Sequence, residues 1–223
     1  MATVEGFSNS KVGLEVDETF GAGRMSLRPI DYKQWRGHIG GHYRMARSTG
    51  LVTGVAAAGA LLSFRWNNAD RAALLLRVIA HATLTTAFAA AQETSIDLVK
   101  MSAMPASDSG GTAIDLVNDN RLSHFMQRAL VTDLRIADAA ALGAGAGNVA
   151  EGNALAAAVF GLGNTAGASA QDVLFDAIAG QEHPIELSAG TGFRIRNLFA
   201  QGAAGVVRFT FSLVWAEVPS RFY

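Results

Sequence analysis

Five histidines, His38, His42, His81, His124 and His183, are the residues of this chain best suited to metal binding or proton transfer. His38 and His42 stand four apart and would share one face of a helix. Gly40 and Gly41 lie between them and argue against a helix there. Zinc would also need at least one further ligand in a fixed geometry. A loop with polar or stacking histidines is therefore the expectation, and no metal site. His81 lies in an apolar run and reads as a core histidine bonded to backbone. Asp115 with Asp119, and Asp133 with Asp138, have the spacing of paired carboxylates for glycoside hydrolysis or calcium. Their ordinary role is as solvated turn residues. The glycine runs Gly143, Gly145, Gly147 and Gly161, Gly163, Gly167 have the look of phosphate-cradling loops. Neither leads into Lys-Ser or Lys-Thr, and neither joins a strand to a helix in a βαβ unit. Serines and aspartates abound, but no Gly-x-Ser-x-Gly elbow presents a nucleophile. The chain has no cysteine, which excludes disulfides, thiolate metal sites and cysteine nucleophiles. No cofactor is expected, and an enzyme finds no substrate class to act on.

One cluster remains. Residues 24–47 hold Arg24, Arg28, Lys33, Arg36, Arg44 and Arg47 against a single acid, Asp31, with Tyr32, Trp35 and Tyr43 interleaved. Such a segment could grip single-stranded nucleic acid by phosphate pairing and base stacking. It could equally be an arm whose arginines meet carboxylates of a neighbouring subunit, since the planar guanidinium pairs carboxylates in a two-pronged fashion. The net charge of the whole chain is −1, so there is no general pull toward nucleic acid, and the arm is the better reading. Arg24, Arg28, Tyr32, Trp35, Arg36, Tyr43 and Arg44 are its candidate contact residues. Charged residues make up 17% of the chain, below the roughly one quarter usual for soluble domains. That deficit fits a surface partly covered by other copies. The N-terminal residues lack the apolar stretch of a signal peptide, so none is expected. The apolar run near 51–62 is too short and too rich in Gly and Ala to span a bilayer, so no membrane is expected either.

The elements that must carry these residues read as strands. From Val206 to Glu217 the chain alternates, with Phe209, Phe211, Leu213 and Trp215 on one face and Arg208, Thr210, Ser212 and Ala216 mostly on the other. Leu62, Phe64 and Trp66 alternate in the same way with Ser63, Arg65 and Asn67. Two aromatic faces, each needing an apolar partner, predict two packed sheets. Further strands are expected at 51–55, 74–88 with a bend near His81, 94–101, 131–137, 174–178, 184–188 and 193–196. Asn67 to Asp70 reads as a turn and Ser107 to Gly111 as a loop. Leu122, Phe125, Met126 and Ala129 have helical spacing, which predicts one short helix within 114–130. Residues 139–170 read as a long Ala/Gly-rich insertion, either loop or glycine-broken helix, with an interaction role. The prediction is all-β: an antiparallel β-sandwich of the jelly-roll kind. An extended arm spans 1–49 and the sandwich domain 50–223.

Several stretches resemble virion structural proteins of tailed bacteriophages. They are Ser26 to Pro29, Gly41 to Arg44, Thr53 to Trp66, Pro184 to Arg196 and Arg208 to Glu217, and the resemblance covers most of 24–218. It implies a jelly-roll subunit of a phage particle, assembled in the bacterial cytoplasm, and it supplies no active-site pattern. The expected function is a capsid decoration (cement) protein, not an enzyme, that bridges capsid subunits through its arm and sandwich. Its partners would be the major capsid protein or other virion subunits and further copies of itself, a trimer first. A tail or baseplate component, or a carbohydrate- or receptor-binding module, is the alternative.

Overall fold

The structure, a computed structural model, describes residues 15–16, 23–24, 41–116, 128–180 and 182–220. The chain divides into two units, Met1–Arg36 and Gly37–Tyr223. In the first, the described residues are β1 (Glu15–Val16) and β2 (Gly23–Arg24), which pair antiparallel. The second holds β3 (Gly41–Ser48), β4 (Ala60–Trp66), β5 (Arg71–Thr86), β6 (Thr94–Ala103), β7 (Thr112–Ala113), β8 (Asp133–Ile136) and β9 (Val149–Ala150). It continues with β10 (Ala156–Phe160), β11 (Ser169–Asp176), β12 (Ile185–Leu187), β13 (Thr191–Asn197) and β14 (Val206–Pro219).

Two antiparallel sheets pack face to face. One runs β11-β5-β14-β3, with β12 also on β5; the other runs β10-β6-β13-β4-β8-β7, with β9 also on β6. Set the short strands aside and the order is β3-β14-β5-β11 facing β4-β13-β6-β10. That is the strand order of a jelly roll, two four-stranded sheets wound from paired Greek keys. The chain swaps sheets between β3 and β4, β4 and β5, and β5 and β6, so neighbours in sequence face each other across the core.

The core is aromatic, as the alternation requires. Phe64 stacks on its cross-strand partner Phe193 at 4.9 Å and meets Trp215 of the opposite sheet edge-on at 5.7 Å. Phe160 of β10 reaches Phe209 of β14 at 6.3 Å, and Tyr43 stacks on Trp215 at 5.5 Å. Such offset and edge-on pairs add about 0.5–1.5 kcal/mol each beyond the area they bury.

The strands at β4, β5, β6, β8, β12, β13 and β14 fall where the sequence places them, while β11 starts at Ser169, five residues before the strand expected at 174–178. Three other readings change. Residues 41–48 are a full strand of the sandwich, hydrogen-bonded along β14, so the domain begins before residue 50. The mixture of Arg and Tyr hid the alternation, because β3 is an edge strand whose outward residues include Arg44 and Ser48. Residues 51–55 contribute only an isolated bridge, Val52 to Val207, and Gly54 turns the chain with a φ of 59°. The Ala/Gly-rich stretch 139–170 contains β9, β10 and the start of β11. Alanines at 156–158 gave no side-chain contrast between its two faces. The helix expected within 114–130 lies largely outside the described residues.

Candidate functional site

The outer face of β3-β14-β5-β11 is built in four-residue rows by the strand register. Ser48, Thr210, His81 and Gln171 form one row; Ala46, Ser212, Ile79 and Val173 the next; Arg44, Val214, Arg77 and Asp176 the third. The centre of the face is hydroxyl and aliphatic: Ser48 and Thr210 share a hydrogen bond of 2.8 Å across the strands. Charge sits at its two ends: Arg77 pairs with Asp176 at 3.0 Å and Arg44 is exposed at one, and Arg208, opposite Thr83, is exposed at the other. A face with an uncharged centre is chemically suited to cover by protein, where bulk hydrophobicity is not required but charge is depleted at the centre.

Arg65, Asp97, Arg194 and Arg196 of the other sheet are spent internally, while Lys100 and its partner Glu151 stay part-exposed. The outer face of that sheet is covered by the loops around 104–111 and 142–148. Arg65 donates Nε–H to the Met104 carbonyl at 2.8 Å. Arg194 donates through both Nε and Nη2 to Asp108, whose carboxylate is fully buried. Asp108 also accepts the Gly145 N–H and the Asn148 side-chain amide, both at 2.9 Å. Burial alone would raise the Asp108 pKa; the bonds from Arg194, Gly145 and Ser63 outweigh it and hold the carboxyl below its ordinary value. Next to this clasp, Arg196 grips Asp97 with two bonds. In the glycine run 143–147 one backbone N–H, that of Gly145, thus does bind an anion, and the anion is a carboxylate of this chain. In the run 161–167, Asn164 accepts the Phe88 N–H and donates to the Phe88 carbonyl, pinning the loop between β10 and β11.

Glu217 is the most unusual carboxylate. It is 0% exposed and accepts the Leu130 N–H at 2.9 Å and the Trp215 indole N–H at 3.2 Å. Desolvation raises its pKa to about 7, against the opposing pull of those two donors and of the Arg71 charge. It ties residues 128–131 to the end of the sandwich, where the Tyr43 hydroxyl donates to the Arg128 carbonyl.

The sequence-chosen residues scatter. Tyr43 is a core residue with no exposed surface, which corrects its place among the contact residues: β3 turns it inward against Trp215. Arg44, its neighbour, is exposed on the outer face. Arg24 lies in β2 opposite Glu15. Arg28, Tyr32, Trp35 and Arg36 lie outside the described residues, as do His38, His124 and Asp119. His81 is partly buried on the outer face rather than in the core, because β5 is phased with Ala80 and Ala82 inward. His42 is buried, which lowers its pKa; His183 is exposed and contacts the Pro184 carbonyl at 2.8 Å. Asp133 pairs with Arg135, and Asp138 accepts the Thr112 hydroxyl. Among the described residues no three His, Cys, Asp or Glu converge as metal ligands. The clasp residues Asp108 and Arg194 were missed, yet β13 does alternate Phe193 and Ile195 against Arg194 and Arg196. Glu217 continues the inward phase of Phe209 to Trp215, a signal that the sequence carried.

No family model, no curated protein and no solved structure matches the chain.

Proposed function

We propose that this chain is a structural subunit of a tailed-phage virion, a capsid decoration protein that binds assembled heads and ties neighbouring subunits together. The outer face of β3-β14-β5-β11, uncharged at its centre, carries the reading. It is a surface with an uncharged centre on a block whose Arg194–Asp108 pair is buried and locks a loop onto the opposite sheet. Rigid blocks of that kind suit repeated protein contacts. An interface of about 1,000 Å² or more per contact is specific, and many copies on one particle add avidity. The jelly-roll order and the resemblance of 24–218 to phage structural proteins support the same conclusion. So does the basic, aromatic segment 24–36 at the start of the chain, whose arginines suit carboxylates on a neighbouring subunit.

The test is mass spectrometry of tailed-phage particles purified from the source that encodes the chain, followed by immunogold labelling. The expected result is many copies per particle, with label over the head. Label on the tail would move the protein to the tail or baseplate. Absence from virions would overturn the proposal.

A further inference from the structure

Sheet edges expose unpaired N–H and C=O groups, and proteins blunt them with charge, proline or brevity. Three edges here follow that rule. β3 carries Arg44 and Arg47, both exposed; β7 is two residues long; β11 carries exposed Asp172. β10 does not. Among the described residues it pairs with β6 alone, so the backbone groups of alternate residues face outward with no strand opposite. Its inward residues Ala158 and Phe160 are buried. Its outward residues form an aliphatic stripe: Leu155 just before the strand is 48% exposed, Ala157 is exposed, and Val159 is 56% exposed. From Gly152 to Gln171 the sequence holds no charged residue. The stripe has company at one end. Val159 lies opposite Ser95, whose carbonyl accepts the Leu198 N–H, and the next residue, Phe199, is half-exposed.

We propose that the open edge of β10 binds the β10 edge of a second copy of this chain, antiparallel, so that one sheet runs through both. Charge decides the occupant. Two-fold antiparallel pairing sets residues 155–159 against the same residues of the other copy, and any charge there would face its own like. This segment has none. A partner strand bearing charges would find no counter-charge on this edge to pair with it. The small side chains of Ala156, Ala157 and Ala158 place no bulk in the way of the second strand.

The inference deepens the assembly reading above by naming a surface for it. It is read on the purified full chain in solution, so its failure and the failure of particle binding are separate results. Sedimentation velocity should show reversible association at about 100 µM chain or below, a weak to moderate interface. Ala157→Lys places like charges opposite each other and should weaken association at least about tenfold while leaving the circular dichroism unchanged. Ala157→Cys adds the chain's sole cysteine at the middle of the pairing, where facing Cα atoms lie within disulfide reach. Mild oxidation should link it into dimers. The same oxidation of Arg44→Cys on the β3 edge should not. A monomeric wild type, association indifferent to Ala157→Lys, or an Ala157→Cys chain that does not link to itself each overturns the proposal. The last result, combined with sensitivity to lysine, would assign the edge to a different strand.

Discussion

Asp108 and Arg194, 86 positions apart, meet in a two-pronged ion pair with the Nε–H of Arg194 2.7 Å from one carboxylate oxygen. The pair joins a loop to the middle of a sheet. Asp108 comes from the chain between β6 and β7, Arg194 from the centre of β13, and Gly145 and Asn148 approach from a third segment to fill the remaining lone pairs of the carboxylate. Loops that cover a sheet face must satisfy their own backbone, and here one carboxylate ties two of them to a strand.

Removing that carboxylate leaves a guanidinium buried without its counter-charge. Asp108→Ala is therefore expected to cost about 3–5 kcal/mol, measured by urea unfolding at neutral pH. Asp108→Asn, which keeps an acceptor, should cost less. The pH dependence has a fixed sign. The folded carboxyl titrates below its ordinary value of 3.8, so its contribution is present above that pH and is lost as pH falls through the folded value. Acid unfolding of Asp108→Asn should accordingly be less steep than that of the wild type. Equal slopes would show that the clasp does not hold in solution.

Glu217 gives the opposite sign. Its carboxyl is raised from 4.5 to about 7, so the folded chain holds the proton more tightly than the unfolded one. Below 4.5 both states are protonated and nothing is lost. Between there and about 7 the unfolded chain ionises first, and stability falls as pH rises, by on the order of 3 kcal/mol in all. Glu217→Gln keeps an acceptor for Leu130 and Trp215 and abolishes the titration. The urea midpoint of the variant, relative to wild type, should rise steadily across that window and level off above it. Buried His42, whose lowered pKa gives a slope of the other sign near its ordinary value of 6.5, is common to both proteins and cancels in the difference. A difference that does not vary with pH would refute the assignment.

Two-residue alternation made the sandwich legible wherever large and small, or apolar and polar, side chains took turns. Leu62 to Asn67 and Val206 to Glu217 are such cases, and their faces are as read. It failed where the contrast was missing. In β10 three alanines in succession give no phase, and only the buried Phe160 and exposed Val159 reveal it. In β3 the basic residues drew attention to charge, and Tyr43 was grouped with Arg44 although adjacent strand residues point to opposite faces. The buried polar clasp was illegible for another reason: it joins residues from three distant segments, and no local pattern encodes that meeting.

Gly192 tests close packing at the centre of a sheet. A Cβ built there would strike the Phe64 carbonyl oxygen and come within 2.6 Å of the Met104 sulfur. Backbone of the neighbouring strand cannot yield as a flexible side chain would. Gly192→Ala should destabilise by roughly 2–4 kcal/mol, whereas Gly152→Ala, with nothing within 4 Å, should change stability by no more than about 0.5 kcal/mol. Thermal unfolding of the two variants decides it: similar melting temperatures would mean that β13 does not sit this close to β4.

Adjacent residues Tyr43 and Arg44 separate folding from contact. Tyr43 fills the core against Trp215 and holds the Arg128 carbonyl, so Tyr43→Ala should cost about 3–5 kcal/mol, as for other large aromatic truncations. Arg44 stands exposed beside Val214, and Arg44→Glu should leave stability within about 0.5 kcal/mol of wild type. On the proposed particle-binding face, however, it reverses a charge. Co-sedimentation of the folded Arg44→Glu chain with heads lacking the wild-type protein should show binding weakened several-fold, more so at low salt, because a rim charge acts largely through the association rate. Undiminished binding would remove the outer face of β3-β14-β5-β11 from the contact and leave the attachment to some other surface of the chain.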